Sequence, residues 1–245
     1  MSEAKLPQPK PLFDTLENLS TITARVTPYL QTLNIQHIER EHHLCTEFLK
    51  SYAQSRDTFT AYRREVERFL HWTWLVAKKP LQRVNRNDVR DYLAFLAKPP
   101  THWLGTKIVE RFINDAKHAE RRVNPEWRPL VVKVSKAARS LGKLPAKAQY
   151  QLSNKSIEAV FAVLSSMFSY LQQEEFVEAN PVALIRQKKG YIQRQQTRKV
   201  TRKLSTTQWL YVIDTAEKAA KANPQAERTL FLLSAFYLLG LRISE

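Results

Sequence analysis

Apolar positions recur every three or four residues along most of this chain, which is the spacing of helices with one covered face. Phe59, Tyr62, Val66, Phe69, Leu70 and Thr73 form one such stripe and predict a helix over 55–79. Ser55 or Asp57 supplies its N-cap. Val89, Tyr92, Leu93 and Leu96 predict a second helix over 87–96, with Asn85 or Asn87 as cap and Asp88 favouring its start. Pro99 and Pro100 stop it. Ile157, Val160, Phe161, Leu164, Met167, Phe168 and Leu171 make a wide stripe over 153–173. Asn180-Pro181 then breaks the chain, because proline denies the α region to the residue before it.

The rest of the pattern is less even. Residues 1–20 hold Pro7, Pro9 and Pro11 without periodicity and read as a mobile tail. Leu33, Ile35, Ile38, Cys45, Phe48, Leu49 and Tyr52 suit a moderately amphipathic helix over 32–52. Between 101 and 150, Ile108, Phe112 and Ala116 suggest a helix, while 131–138 fits either helix or strand. Ser205 and Gln208 form a capping-box pair that opens a helix with Trp209, Val212, Ile213 and Ala216 inward. From Leu230 to Leu239 nearly every residue is apolar, so as a helix this segment must be buried on all sides, Tyr237 with it. It is too short to span a bilayer, and Gly240 suits the left-handed residue after a helix.

Composition narrows the class. Of 245 residues, 43% are hydrophobic and only 4 are Gly, which favours a helical core over a hairpin-rich fold. Net charge is +16, and its placement matters more than its total. Residues 98–150 carry twelve Lys and Arg against four acids, and residues 186–203 carry eight against none. Excess concentrated in two blocks points to a polyanion, of which nucleic acid is the usual one. The run 186–203 lacks apolar periodicity and reads as a cationic linker. The one cysteine excludes an internal disulfide framework and fits a reducing interior. No apolar signal core opens the chain and no segment is long enough for a membrane, so a cytoplasmic, nucleoid-associated protein is expected. His37, His42, His43 and Cys45 are zinc-ligand types, but their spacing fits no closed four-ligand pattern. They read as surface imidazoles beside one thiol, with no metal.

Gly240-Leu241-Arg242-Ile243-Ser244-Glu245 after an apolar helix resembles the first catalytic-arginine motif of the tyrosine recombinases, the phage-integrase family. The resemblance extends to Thr58, Tyr62, Val66 and Phe69, to the 87–96 helix, to the 153–173 helix with its Asn-Pro, and to the leucine-serine cap at 204–205. It covers about 55–97 and 153–245. The insert at 98–150 departs from it, since the family usually has a short turn there. Gln208 stands where the family usually has an acidic residue.

The resemblance implies a mainly α fold. An N-terminal tail and extra helix (1–50) precede a SAM-like core-binding bundle (51–185), the basic linker (186–203) and the start of a catalytic domain (204–245). It implies phosphoryl transfer on DNA through a 3′-phosphotyrosine, without nucleotide cofactor or metal, by tetramers on two duplexes. Arg242 would be a catalytic phosphate ligand. The family's lysine hairpin, histidine-x-x-arginine box and nucleophilic tyrosine find no counterpart in the 245 residues. An N-terminal fragment that binds double-stranded DNA without cleaving it is therefore expected, in which Leu230–Leu239 lacks most of its packing partners and leaves an exposed apolar patch. The DNA-contact candidates are Arg63 and Arg64 in the first helix, and Lys133, Lys136, Arg139, Lys143 and Lys147 in the insert. Lys188, Lys189, Arg194, Arg198, Lys199, Arg202 and Lys203 follow in the linker. The charge pattern also admits a non-catalytic accessory DNA-binding protein and a basic RNA-binding helical protein.

Overall fold

Side-chain caps start the main helices where the sequence places them. In a computed structural model of the protein, residues 6–115, 120–132, 145–185 and 204–240 are described. The chain divides into two compact units, Met1–Gln193 and Arg194–Glu245.

In the first unit, α1 (Ile22–Gln31) and α2 (Ile38–Lys50) precede α3 (Arg56–His71), α4 (Arg86–Ala97) and α5 (Asn154–Gln173). The Ser55 side chain accepts from Thr58 N at the start of α3, and Ser153 accepts from Ser156 N at the start of α5. Asn85 and Asp88 close a capping box on α4. The stripes then meet. Phe59, Val66, Phe69 and Leu70 of α3 share one core with Val89, Tyr92 and Leu96 of α4 and with Val160, Leu164, Met167 and Phe168 of α5. Phe69 sits edge-on to both Tyr92 and Phe168, at 5.1 and 5.7 Å between ring centres. After His71 the α3 backbone widens into a π-type turn over Trp72–Ala77, which Lys78 ends in the left-handed conformation.

Several expectations are corrected. The N-terminal segment is no loose tail: Leu12 and Phe13 are fully buried in the common core. It is held through its backbone. Glu67 of α3 accepts from Leu12 N and Phe13 N at 2.8 and 3.3 Å, and His71 and His42 meet the Lys10 and Leu12 carbonyls at 2.7 and 2.9 Å. Prolines that defeat helical periodicity leave an irregular segment whose backbone polar groups need side-chain partners, and buried ones supply them. The helix expected over 32–52 begins only at Ile38. Where Ile108, Phe112 and Ala116 suggested a helix, Phe112–Asp115 (β2) pairs antiparallel with Glu120–Val123 (β3). Three apolar residues are too few to distinguish the two periods. Leu104–Gly105 (β1) pairs in parallel with Leu130–Val131 (β4), so 131–138 opens as strand and continues outside the described residues.

His42 is buried, stacked on Phe13 at 5.0 Å, and is not the surface imidazole expected, whereas Cys45 is buried as its place in the apolar stripe predicts. Burial is also decisive at Glu41. Its carboxylate accepts from Trp74 Nε1 at 2.7 Å and Leu81 N at 2.6 Å, yet desolvation outweighs these bonds and raises its pKa to about 7. Burial lowers His42 and His71. The signs oppose. The histidines contribute stability that is lost as pH falls below 6.5, whereas Glu41 contributes stability that is lost as pH rises from 4.5 to about 7. Glu41→Gln removes the opposing group. Urea unfolding between pH 5 and 7 is expected to show a stability-pH slope more positive than wild type by about one proton per molecule.

In the second unit, Ser205 and Gln208 close the expected capping box on α6 (Thr206–Ala222). Asn223 caps a short turn at Pro224–Ala226, and α7 (Glu227–Leu239) ends at Gly240 with φ of 63°. Trp209 stacks on Tyr237 at 4.4 Å. Burial on all sides is not found for α7. Phe231, Leu238 and Leu239 are at least 70% exposed and Tyr237 59%, because two antiparallel helices cover only one side of each other. Tyr237 is thus not a core residue among the described residues of this unit.

Candidate nucleic-acid interface

The cations of α3 and of the insert do not form a uniform positive coat. Many are pinned by carboxylates that the helical stripe left apparently misplaced. Arg63, expected off the apolar stripe and open to phosphate, turns inward. It is 7% exposed, its guanidinium donates to the Asp14 carbonyl, and burial with the nearby Arg111 lowers its pKa to about 10. It is charged at neutral pH but faces the protein.

Arg111 and Arg121 fasten the insert to the core. Arg111 Nε and Nη2 donate to Glu67 Oε2 at 3.2 and 3.1 Å, and its guanidinium lies 5.7 Å from the centre of the Trp127 ring. Burial alone would raise Glu67, but Arg111, His71, the Leu12 N–H and Arg63 outweigh it and lower its pKa. Arg121 donates to both Asp14 carboxylate oxygens at 2.8 and 2.9 Å, a forked pair that orients it strongly. Two of the insert's charges are therefore structural.

Among the described residues, two groups of neighbouring cations stand out. On α4, Arg86 and Arg90 are exposed one turn apart, with Arg83 exposed in the 3₁₀ turn just before. Among the described residues none of the three has an ion-pair partner. The apolar stripe alone did not announce them, since Arg86 lies three residues before Val89 and seven before Leu93, at the edge of that face, and it is the fold that leaves Arg86 and Arg90 exposed.

The second group lines a groove of about 200 Å³ between α3 and the insert. Thr60 and Arg64 line it from α3, and Lys107, Ile108, Arg111, Trp127 and Arg128 from the insert. Arg64 Nε donates to Glu65 Oε1 at 2.7 Å. Arg68 donates to the same carboxylate at 3.1 Å and to the Pro129 carbonyl at 2.8 Å. Arg128 Nη1 donates to the Pro125 and Trp127 carbonyls, each at 2.7 Å. A wider cleft of about 760 Å³ between Leu81–Arg86 and Val177–Leu184 is mostly apolar with one cation, Arg86, and suits a polyanion less.

Of the candidates from sequence, Arg64 is on this groove. Lys147 is exposed and donates to the Thr101 carbonyl at 3.0 Å. Lys133, Lys136, Arg139, Lys143, the seven linker residues and Arg242 lie outside the described residues. No group of three metal-ligating side chains with suitable placement occurs among the described residues.

Residues 44–104 match the family described as phage integrase, N-terminal SAM-like domain. The match runs from α2 through α4 to β1. Over this stretch, about a quarter of the 245 residues, the chain is similar to the phage-integrase, or tyrosine-recombinase, family, and the match supports a member of it. No curated protein and no solved structure matches the chain. The mainly helical fold agrees with an integrase SAM-like domain, and that domain indicates a DNA-binding role in site-specific recombination. The match ends at Leu104, a short way into the insert, so β2, β3 and β4 lie outside the matched portion. Among the described residues no helix is long and apolar enough to cross a membrane.

Proposed function

We propose that these 245 residues are the DNA-holding part of a site-specific tyrosine recombinase, binding double-stranded DNA but not cleaving it by themselves. The observation that carries this reading is the SAM-like match at 44–104 on a bundle whose outward face bears Arg83, Arg86 and Arg90. Duplex DNA presents a dense row of phosphates, and exposed cations that displace its counterions gain affinity without reading sequence. The linker 186–203 adds eight cations to the same task. Arg242 is assigned as a scissile-phosphate ligand because its motif resembles the family's first catalytic arginine. Hydrogen-bond donors aimed at a phosphate stabilise the charge that builds there during transfer, but an attacking tyrosine hydroxyl is also required. No tyrosine of this chain is assigned to that role. Family members assemble as tetramers on DNA, and the same is proposed here.

The test is titration of fluorescent duplex with the full chain at several salt concentrations, followed by a denaturing gel. Binding whose logarithm falls linearly with the logarithm of salt, with uncut DNA on the gel, is expected. Tighter binding to a structured RNA than to duplex would replace this reading with the RNA-binding one.

A further inference from the structure

We propose that the groove between α3 and the insert seats a phosphodiester of duplex DNA, as a contact additional to those of the SAM-like domain. This rests on the reading of the chain as a duplex-DNA binder. The groove walls at 107–111 and 127–131 fall outside the matched residues 44–104, so the contact belongs to the insert.

Charge is the first argument. Arg64, Lys107, Arg111 and Arg128 line the groove, and Arg68 stands behind Arg64 on the same carboxylate. The carboxylates bonded to these groups are Glu65 and Glu67, both almost fully buried. Five cations against two carboxylates leave an uncompensated positive charge at the mouth. Lys107 is exposed and has no ion-pair partner among the described residues. A guanidinium has five N–H donors. Among the described residues Arg64 makes one hydrogen bond, through Nε, so donors remain for an anion.

Rigidity is the second argument. Arg64 and Arg111 are oriented by buried carboxylates and Arg128 by two carbonyls, so an arriving phosphate need not order them. Preorganised donors bind with less entropic loss than free surface chains. The third argument is the apolar lip. Ile108 is 83% exposed beside Val109 and Pro129. A phosphodiester in a strand carries a sugar on either side, whose C–H faces suit such a lip. An isolated inorganic anion would leave it uncovered.

The experiment uses the full chain. The only cysteine, Cys45, is buried, and burial with Glu41 nearby raises its pKa, so it resists labelling. An Ile108→Cys variant can therefore carry one benzophenone maleimide at the groove lip. On irradiation with fluorescent duplex we expect a crosslink that unlabelled duplex competes away. Separately, Lys107→Glu changes an exposed side chain and is expected to leave the circular-dichroism melt unchanged. It should lower the slope of log affinity against log salt by about one. If the wild-type chain fails to bind duplex, the proposed function falls and the groove assignment with it. If wild type binds but the crosslink is absent, or the Lys107→Glu slope equals wild type, only the groove assignment is overturned. A stronger crosslink to hairpin RNA than to duplex overturns it as well.

Discussion

Glu67→Ala is expected to destabilise the first unit by about 3–5 kcal/mol, the usual cost of removing one partner from a buried ion pair. The site is unusually demanding. Glu67 is 1% exposed and meets Leu12 N, Phe13 N and the Arg111 guanidinium. Alanine would leave two backbone donors and a largely buried cation without their acceptor. The N-terminal segment and the insert both hang on this carboxylate, so they should loosen together. Chemical denaturation reports the loss. Hydrogen exchange should show faster exchange at Leu12 and Phe13 and in the β2–β3 hairpin, with α5 less affected. A melt within about 0.5 kcal/mol of wild type, the range of an ordinary surface change, would show that Glu67 fastens neither segment.

Replacing Arg198, Lys199, Arg202 and Lys203 with glutamine is expected to weaken duplex binding and reduce the salt slope by about three to four, since each phosphate contact contributes about 0.9. These residues lie in the run 186–203, which has eight cations and no acid. Nothing in that run competes with phosphate for its charge, unlike the insert, where Glu67 and Asp14 hold Arg111 and Arg121. The melt of the first unit should not change. Titration across a salt series checks the slope, and an unchanged slope would place the linker away from DNA.

The contrast between linker and insert shows where charge counting fails. Net charge over 98–150 is a sum, and the sum does not say which cations meet a carboxylate distant in sequence. Arg121 pairs with Asp14 across 107 positions and Arg111 with Glu67 across 44. No local pattern announces such pairs. The same limit hid the N-terminal segment. Its prolines advertise irregular backbone, and irregular backbone is usually exposed, but Glu67, His42 and His71 lie 30 to 61 positions away and satisfy it inside. Arg63 differs: it lies four residues after Phe59, three before Val66 and seven before Leu70, so the helix period already turns it toward the covered face, and only its partner, the Asp14 carbonyl, depends on the docked segment.

Helical periodicity, by contrast, is local. Val66, Phe69 and Leu70, or Leu164, Met167 and Phe168, face one way whatever they meet, and Ser55, Asn85, Ser153 and Ser205 cap because their acceptors reach N–H groups two or three residues on. The sequence by itself therefore determined α3, α4, α5 and α6, their inward faces, their starts and the run of linker charge, but not α1, the start of α2 or the exposure of α7. Tertiary structure alone decided which charges are internal fasteners and which face outward, and that residues 107–131 fold back on α3 to make a groove. Caps and stripes act over one or two turns, whereas ion pairs and burial depend on which distant segments the folded chain brings into contact.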